Sequence, residues 1–231
     1  MKPANTLQVD VGAGYAAWAA GYDAQDNPMI AAVERYLDRH ALPFRAARVL
    51  DIGCGTGRTM ARALAEGAAS VTGLDASPEM LARARSRLAE PAARGLVTLV
   101  QADLAKPWPE LATDFQLAVI TLVLEHSQRM TPILRQAARH LAKDALLFIA
   151  EIHPDMLKGG LGGHFERGGT TYALPSHPHD EEEFTTSLHA AGFGAPVFDT
   201  VRADAETIAA IPKFAKKAGA GVMLTVRALR M

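Results

Sequence analysis

Cysteine is almost missing from this sequence: Cys54 stands alone among 231 residues. An internal disulfide is excluded, and no second cysteine sits at metal-ligand spacing. An excess of either charge is missing too. Lysine and arginine number 24 against 25 acids, a formal net charge of -1, so no global field draws the chain to nucleic acid or to an anionic membrane. Lys213, Lys216, Lys217 and Arg202 form a minor basic patch at most. The opening MKPANTLQVD lacks the apolar stretch of a signal peptide. The longest apolar run, 117–124, falls far short of the roughly 20 residues that cross a bilayer. The expectation is a cytoplasmic chain with no membrane or nucleic-acid partner. Repeats and low-complexity tracts are absent as well.

What is present is a regular alternation of strand and helix signals. Ile30, Val33 and Leu37 stand at helical spacing, and Pro43 stops the pattern. ARVLDIG reads as a short buried strand broken by glycines. A helix follows through Met60 and Leu64, with Gly67 as its stop. SVTGLD (70–75) is a second strand, after which Ser77 and Pro78 supply an N-cap and a first-turn proline. Met80, Leu81, Ala84 and Leu88 form the apolar stripe of that helix. LVTLVQAD (96–103), FQLAVITLVL (115–124) and ALLFIAEIH (145–153) continue the strands. Thr131 and Pro132 cap a helix running through Leu141. Central strands apolar on both sides predict an α/β fold, a doubly wound, mostly parallel sheet covered by helices on both faces.

After Ile152 the texture changes. The stretch to Glu183 is rich in glycine and histidine and too long for a plain connector. It reads as an insertion with a short hairpin around HFERGGTTY. His164, His177, His179 and Asp180 match no zinc spacing, and no metal site is expected. Asp180 with Glu183 forms a capping box, and Phe184, Leu188 and Ala191 give the buried face of a helix that Gly192 ends. VFDTV and VMLTVRAL close the chain as two strands.

The chemistry concentrates in VLDIGCGTGR (49–58). A dinucleotide-binding turn has the form G-x-G-x-x-G. Here the glycines are Gly53, Gly55 and Gly57, and the position that the fingerprint makes small is Arg58, so the fingerprint fails. Asp51 argues the same way, because a carboxylate repels a pyrophosphate. A ligand carrying an ammonium and a sulfonium favours that acid instead.

The segment resembles motif I of the class I S-adenosylmethionine-dependent methyltransferases, an acid followed by G-x-G-x-G. Asp75, at the end of the second strand, and Asp103, in QADL after the third, agree with that family. The N-terminal YxxWAxxYD, Tyr15 to Asp23, is similar to the covering helix of its small-molecule members related to ubiquinone and menaquinone biosynthesis enzymes. The resemblance implies S-adenosylmethionine as cofactor and S-adenosylhomocysteine as product. It implies that Asp75 holds the ribose hydroxyls with Ala76 beside it. Asp103 and Leu104 would meet the adenine, with Met80 packing on it, and Tyr15 and Tyr22 would close over the methionine part. It also implies a seven-stranded sheet whose last strand is antiparallel. Plainer readings stand beside these: Asp51 as a turn cap, Asp75 in an Asx-turn leading into Ser77, Asp103 as a surface acid, Met80 and Trp18 as packing, and Cys54 as a small turn residue.

Methyl transfer from a sulfonium is an in-line displacement with a neutral leaving group, so a base is needed only when the acceptor must lose a proton. Four residues follow strands four and five, where the pocket of such a sheet lies: Glu125, His126, Glu151 and His153. His126 and His153 are the candidates for acid–base or orienting work. The expectation is one domain over residues 1–231, with 1–45 as a helical lid and 154–179 as a substrate-covering insertion. It acts on a small molecule, as a monomer or homodimer. Two alternatives remain: same-fold chemistry other than methylation, and a non-catalytic cofactor-binding subunit.

Overall fold

The computed structural model describes residues 6–24 and 26–231. Strand β1 (Thr6–Gln8) leads into helix α1 (Val11–Trp18), whose first turn is capped by Asp10 accepting from Ala13 N–H. Helix α2 (Pro28–Arg39) starts on an Asn27 cap and a first-turn proline. It buries Met29, Ala32, Val33, Tyr36 and Leu37, one face at helical spacing.

The central units follow as β2 (Arg48–Ile52), α3 (Arg58–Ala65), β3 (Ser70–Asp75), α4 (Pro78–Arg87), a short α5 (Ala89–Ala93) and β4 (Val97–Gln101). Next come β5 (Phe115–Thr121), α6 (Thr131–His140), β6 (Leu141–Ile152) and a one-turn α7 (Pro154–Lys158). The hairpin β7 (His164–Arg167) and β8 (Thr170–Ala173) turns through Gly168 and Gly169, both at positive φ, as a two-residue turn of this hand requires. Helix α8 (Glu181–Ala191), β9 (Val197–Arg202), α9 (Ala205–Ala210) and β10 (Gly221–Leu229) complete the chain.

The seven-stranded sheet has the order β4-β3-β2-β5-β6-β10-β9. It is parallel except for β10, which runs antiparallel to both β6 and β9. Alternate residues of the central strands feed opposite cores. Val49, Leu117 and Val119 pack with α2 and α3, whereas Leu50, Ile52, Ala118 and Ile120 pack with α6 and α8. This two-sided burial is what the uniformly apolar strands predict. The order reverses between β2 and β5, so their C-terminal ends flank the crevice where such sheets hold ligands.

Several expectations are corrected. The strand from Phe115 stops at Thr121 because Leu122 turns left-handed (φ 57), and residues 124–126 form a short 3-10 turn. Thr131 caps nothing: its hydroxyl donates to Ser187 Oγ, and α6 starts without a side-chain cap. Leu141 opens β6 and does not end the helix. Asp180 caps α8 as expected, but the Glu183 carboxylate lies 3.0 Å from His179 Nδ1 in place of completing a box. The N-terminal segment is not wholly helical. Its strand β1 runs parallel to β8, which makes a second sheet of order β1-β8-β7. Residues 1–5 and Gln25 of that segment lie outside the described residues.

Candidate active site

The glycine turn follows β2 directly. Gly53, Gly55 and Gly57 all have positive φ (76, 52 and 77), backbone states that L side chains resist. At Gly53 space forbids a side chain as well, since a Cβ there would lie 2.3 Å from a methyl of Val123. Gly53 and Cys54 both donate to the Leu74 carbonyl at 2.8 Å. Asp75, at the end of β3, accepts from Gly55 N–H and from Ser77 N–H, each at 2.8 Å. Both readings of Asp75 therefore meet in one side chain: it makes the Asx-turn into Ser77 and also pins the glycine turn. Burial raises its pKa, and those backbone donors oppose the rise.

Asp51 lies beneath this turn, 1% exposed. Neither of its oxygens has a hydrogen-bond partner among the described residues. Burial, and then the neighbouring Asp75, push it up to about 7. Cys54 is buried and its thiol is pushed well up by the same burial, which fits a small turn residue and not a nucleophile.

The loop after β5 faces this turn across the crevice. Glu151 on β6 holds that loop by accepting from Val123 N–H (3.0 Å), Leu124 N–H (2.9 Å) and Glu125 N–H (3.4 Å). His179 reinforces it, with Nε2 2.8 Å from the Ser127 carbonyl. Glu125 is 3% exposed, and its Oε2 is buried without a partner among the described residues. Burial, and then the charge of Glu151, raise its pKa.

His126 is bonded at both ring nitrogens. Nδ1 lies 2.7 Å from the Pro175 carbonyl. A carbonyl only accepts, so Nδ1 carries the proton. Nε2 is then the acceptor for the Tyr15 hydroxyl at 2.8 Å. Burial lowers the His126 pKa, with the Pro175 carbonyl opposing, so the ring is neutral at neutral pH.

Tyr15 arrives from the N-terminal segment, which grips both sides of the crevice. Asp23 accepts from Thr56 Oγ1 in the glycine turn (3.0 Å) and from Arg87 (2.8 Å), with Arg58 at 3.4 Å. Trp18 stacks on Phe165 of the hairpin, with centroids 5.1 Å apart, and Phe165 stacks on Tyr172 at 4.9 Å. Beneath this aromatic stack lies a cavity of about 750 Å³ whose walls include Tyr15, Trp18, Tyr22, Phe165 and Glu125. Burial pushes Tyr22 up to about 12.

The structure thus brings together Gly53, Gly55, Gly57 and Asp75 on one side, and Tyr15, Tyr22 and His126 on the other. Other candidates fall elsewhere. His153 does not line the cavity: its Nδ1 accepts from Asp155 N–H at 3.2 Å and caps α7. Met80 is 1% exposed in the core. Ala76 is exposed at the tip after β3. The Asp103 carboxylate accepts from Ala105 N–H and pairs with Lys106 at 3.2 Å, the surface arrangement of its plainer reading. Leu104 packs at the edge of the core with its carbonyl bonded to Trp108. Sequence reasoning missed the Asp23 tether and the orphaned Glu125 oxygen. Asp23 stood inside the quoted N-terminal motif, but nothing in sequence pairs it with Thr56.

A doubly wound sheet with a glycine turn and an acid-tipped neighbouring strand at its switch point defines a Rossmann-like ligand-binding protein. Comparison with known proteins narrows this: residues 49–144 match a methyltransferase domain. A ubiquinone biosynthesis O-methyltransferase of Methylobacterium nodulans is 30% identical over 169 residues, 70% of this chain and 65% of the relative. A 27-O-demethylrifamycin SV methyltransferase of Amycolatopsis mediterranei is 30% identical over 175 residues, 68% of this chain and 64% of the relative. The chain thus spans just under two thirds of the length of these curated relatives. An S-adenosylmethionine-dependent methyltransferase from Mesorhizobium loti shares the fold, with a TM-score of 0.68, 23% identity and coverage of 85% of this chain and 96% of that one. Residues 49–144 thus belong to the methyltransferase domain family, on a fold shared with solved S-adenosylmethionine-dependent methyltransferases. Among the described residues no helix is long and apolar enough to cross a membrane.

Proposed function

We propose that this chain transfers a methyl group from S-adenosylmethionine to a small molecule held in the cavity. One observation carries the reading. The N-terminal segment is bonded to both loops at the switch point, through Asp23 to Thr56 after β2 and through Tyr15 to His126 after β5. A cover tied to both lips of the crevice encloses whatever the crevice holds, and excluding water is what an alignment-driven methyl transfer needs. We include the small sheet β1-β8-β7 in this cover.

The residues fit the cofactor. Asp51 is a buried carboxylate with no partner among the described residues, and a cationic ligand at the end of β2 relieves it. Asp75 accepts from Gly55 N–H on one oxygen and from Ser77 N–H on the other, with Ala76 N–H as a further backbone donor, and the remaining lone-pair capacity of the carboxylate can take ribose hydroxyls. Gly57 opens α3 without a side-chain cap, which leaves that helix end available to the carboxylate of the methionine part. Ala76, Met80, Asp103 and Leu104 remain the family-derived candidates around the adenine. When bound, S-adenosylmethionine supplies an electrophilic methyl group on a sulfonium.

His126 can take one proton, at Nε2, because Pro175 holds the proton on Nδ1. Tyr15 occupies that position, so an acceptor hydroxyl or amine passes its proton through the Tyr15 oxygen, which gives its own to Nε2. Calorimetric titration with S-adenosylmethionine and S-adenosylhomocysteine, with NAD and NADPH as controls, tests the reading. Binding confined to the first pair is expected, and binding of neither removes it. Release of S-adenosylhomocysteine in step with acceptor loss separates methylation from other chemistry on the same cofactor.

A further inference from the structure

We propose that the acceptor is a flat, largely apolar molecule with a hydroxyl at one end and an anionic group at the other. Its hydroxyl bonds Glu125 beside the Tyr15–His126 pair, and Lys216 and Lys217 hold its anion. The proposal rests on the methyltransferase reading above and names the substrate class for the same cavity.

The walls decide the body of the molecule. Five aromatic side chains, Tyr15, Trp18, Tyr22, Phe165 and Phe214, stand among aliphatic ones, and stacked or edge contacts with such rings favour a planar apolar ligand. The two ends are decided by charge. Residues 212–217 form a 3-10 turn anchored by Phe214, which is 2% exposed and also lines the cavity. The same turn sets Lys213, Lys216 and Lys217 against the cavity. Lys213 is engaged by the Asp26 carboxylate at 3.2 Å. The ammonium groups of Lys216 and Lys217 have no ion-pair or hydrogen-bond partner among the described residues. A ligand touching this turn therefore meets an apolar wall and two uncommitted ammonium groups together.

The buried part of the wall is acidic. Glu125 is buried with one oxygen unpartnered, and Glu151 lies behind it with its carboxylate already taking three backbone N–H groups. An anion placed there would face two acids, whereas a hydroxyl can donate to or accept from Glu125 in either protonation state. The cavity thus has a buried acid, Glu125, and two uncommitted ammonium groups on its exposed 3-10 turn, while its other acids are Asp26, paired with Lys213, and Glu166 on the hairpin. An anionic acceptor enters with its charge outward and its hydroxyl inward, next to Tyr15.

The test is calorimetry on the full chain saturated with S-adenosylhomocysteine. The probes are para-coumarate, para-hydroxyphenylacetate and a hydroxynaphthoate, each beside its methyl ester. Acids are expected to bind about tenfold tighter than their esters, the scale of paired charge-assisted contacts that are partly exposed. The gap should shrink to about twofold in the double variant Lys216→Gln with Lys217→Gln. Glu125→Gln should weaken acids and esters alike and leave the gap intact. Esters that match their acids, or a gap that survives in the lysine variant, overturn the proposal. Unchanged S-adenosylhomocysteine affinity in each variant shows that the fold and the underlying reading stand whatever the acceptor result. A wild-type protein that fails to bind S-adenosylhomocysteine brings down the reading and this proposal with it.

Discussion

Gly53 and Gly168 both hold positive φ, 76 and 58, and both sit in tight turns after a strand. A methyl group on Gly53 would strike Val123 at 2.3 Å, while one on Gly168 meets nothing within 4 Å. The first glycine is wedged between two loops of the large sheet, and the second caps a hairpin of the cover. The cofactor end is built by backbone at close quarters, so each residue there is constrained by its neighbours in space. The hairpin turn of the cover stands over open ground, so its glycine answers to backbone conformation alone.

Gly53→Ala is the largest effect expected. It combines left-handed strain of about 1–2 kcal/mol with an overpacking cost of about 1–3 kcal/mol. S-adenosylhomocysteine binding should be abolished and the denaturation midpoint should fall sharply. Gly168→Ala should cost only about 1 kcal/mol and leave that binding unchanged. Paired urea titrations and calorimetry on the two variants check this. Equal losses in both would mean that the cover is as tightly constrained as the turn.

The same contrast explains what could be read from sequence. The glycine turn, the acid at Asp75 and the Ser77–Pro78 helix start are contiguous. Backbone requirements leave their mark on the residues that meet them, so β2, β3 and the start of α4 were legible to within a residue. The hairpin was legible for the same reason, because Gly168 and Gly169 announce a turn. The pairing of β1 with β8 was not, since it joins segments about 165 residues apart through backbone bonds that carry no sequence code. Glu125 and His126 were visible as a pair after β5. Their distinct settings, one orphaned and one clamped between Pro175 and Tyr15, come from tertiary contacts. His153 looked equivalent to His126 in sequence, and only the turn at Pro154 makes it a helix cap.

Asp75→Ala probes the cofactor end next. It removes two charge-assisted bonds within the turn as well as the proposed ribose contact. S-adenosylmethionine affinity should fall by about 1–3 kcal/mol, roughly fivefold to 150-fold. Unchanged affinity in a folded variant would free Asp75 from any cofactor role and leave it as a brace for Gly55.

Asp51→Asn separates ligand binding from stability by sign. The folded pKa of Asp51, about 7, lies above the unfolded value near 4. Stability from this group is therefore fully present below about pH 4, falls as pH rises toward 7, and is lost above it. The variant should be more stable than wild type at pH 8, by about 1–2 kcal/mol because the amide is itself unpartnered, with no gain at pH 4. S-adenosylmethionine affinity should fall in the same variant. Thermal melts at the two pH values check the first statement and calorimetry the second. A variant less stable at pH 8 would mean that Asp51 has partners the static structure does not reveal.

The smallest effect belongs to the tether of the cover. Asp23, Arg58 and Arg87 are each about one third exposed (32%, 33% and 30%), so solvent screens their attraction and the pairs contribute about 1 kcal/mol or less. Asp23→Asn keeps a hydrogen-bond acceptor for Thr56 but removes the charge that faces both arginines. Hydrogen exchange at the β1 and α1 amides should quicken severalfold, and S-adenosylhomocysteine affinity should change by less than a factor of about three. Added S-adenosylhomocysteine should slow that exchange again if the cover closes over the bound cofactor. If Asp23→Asn instead weakens cofactor binding as much as Asp75→Ala does, cover and glycine turn are one cooperative unit. Thr56 would then transmit the state of the cover directly into the turn.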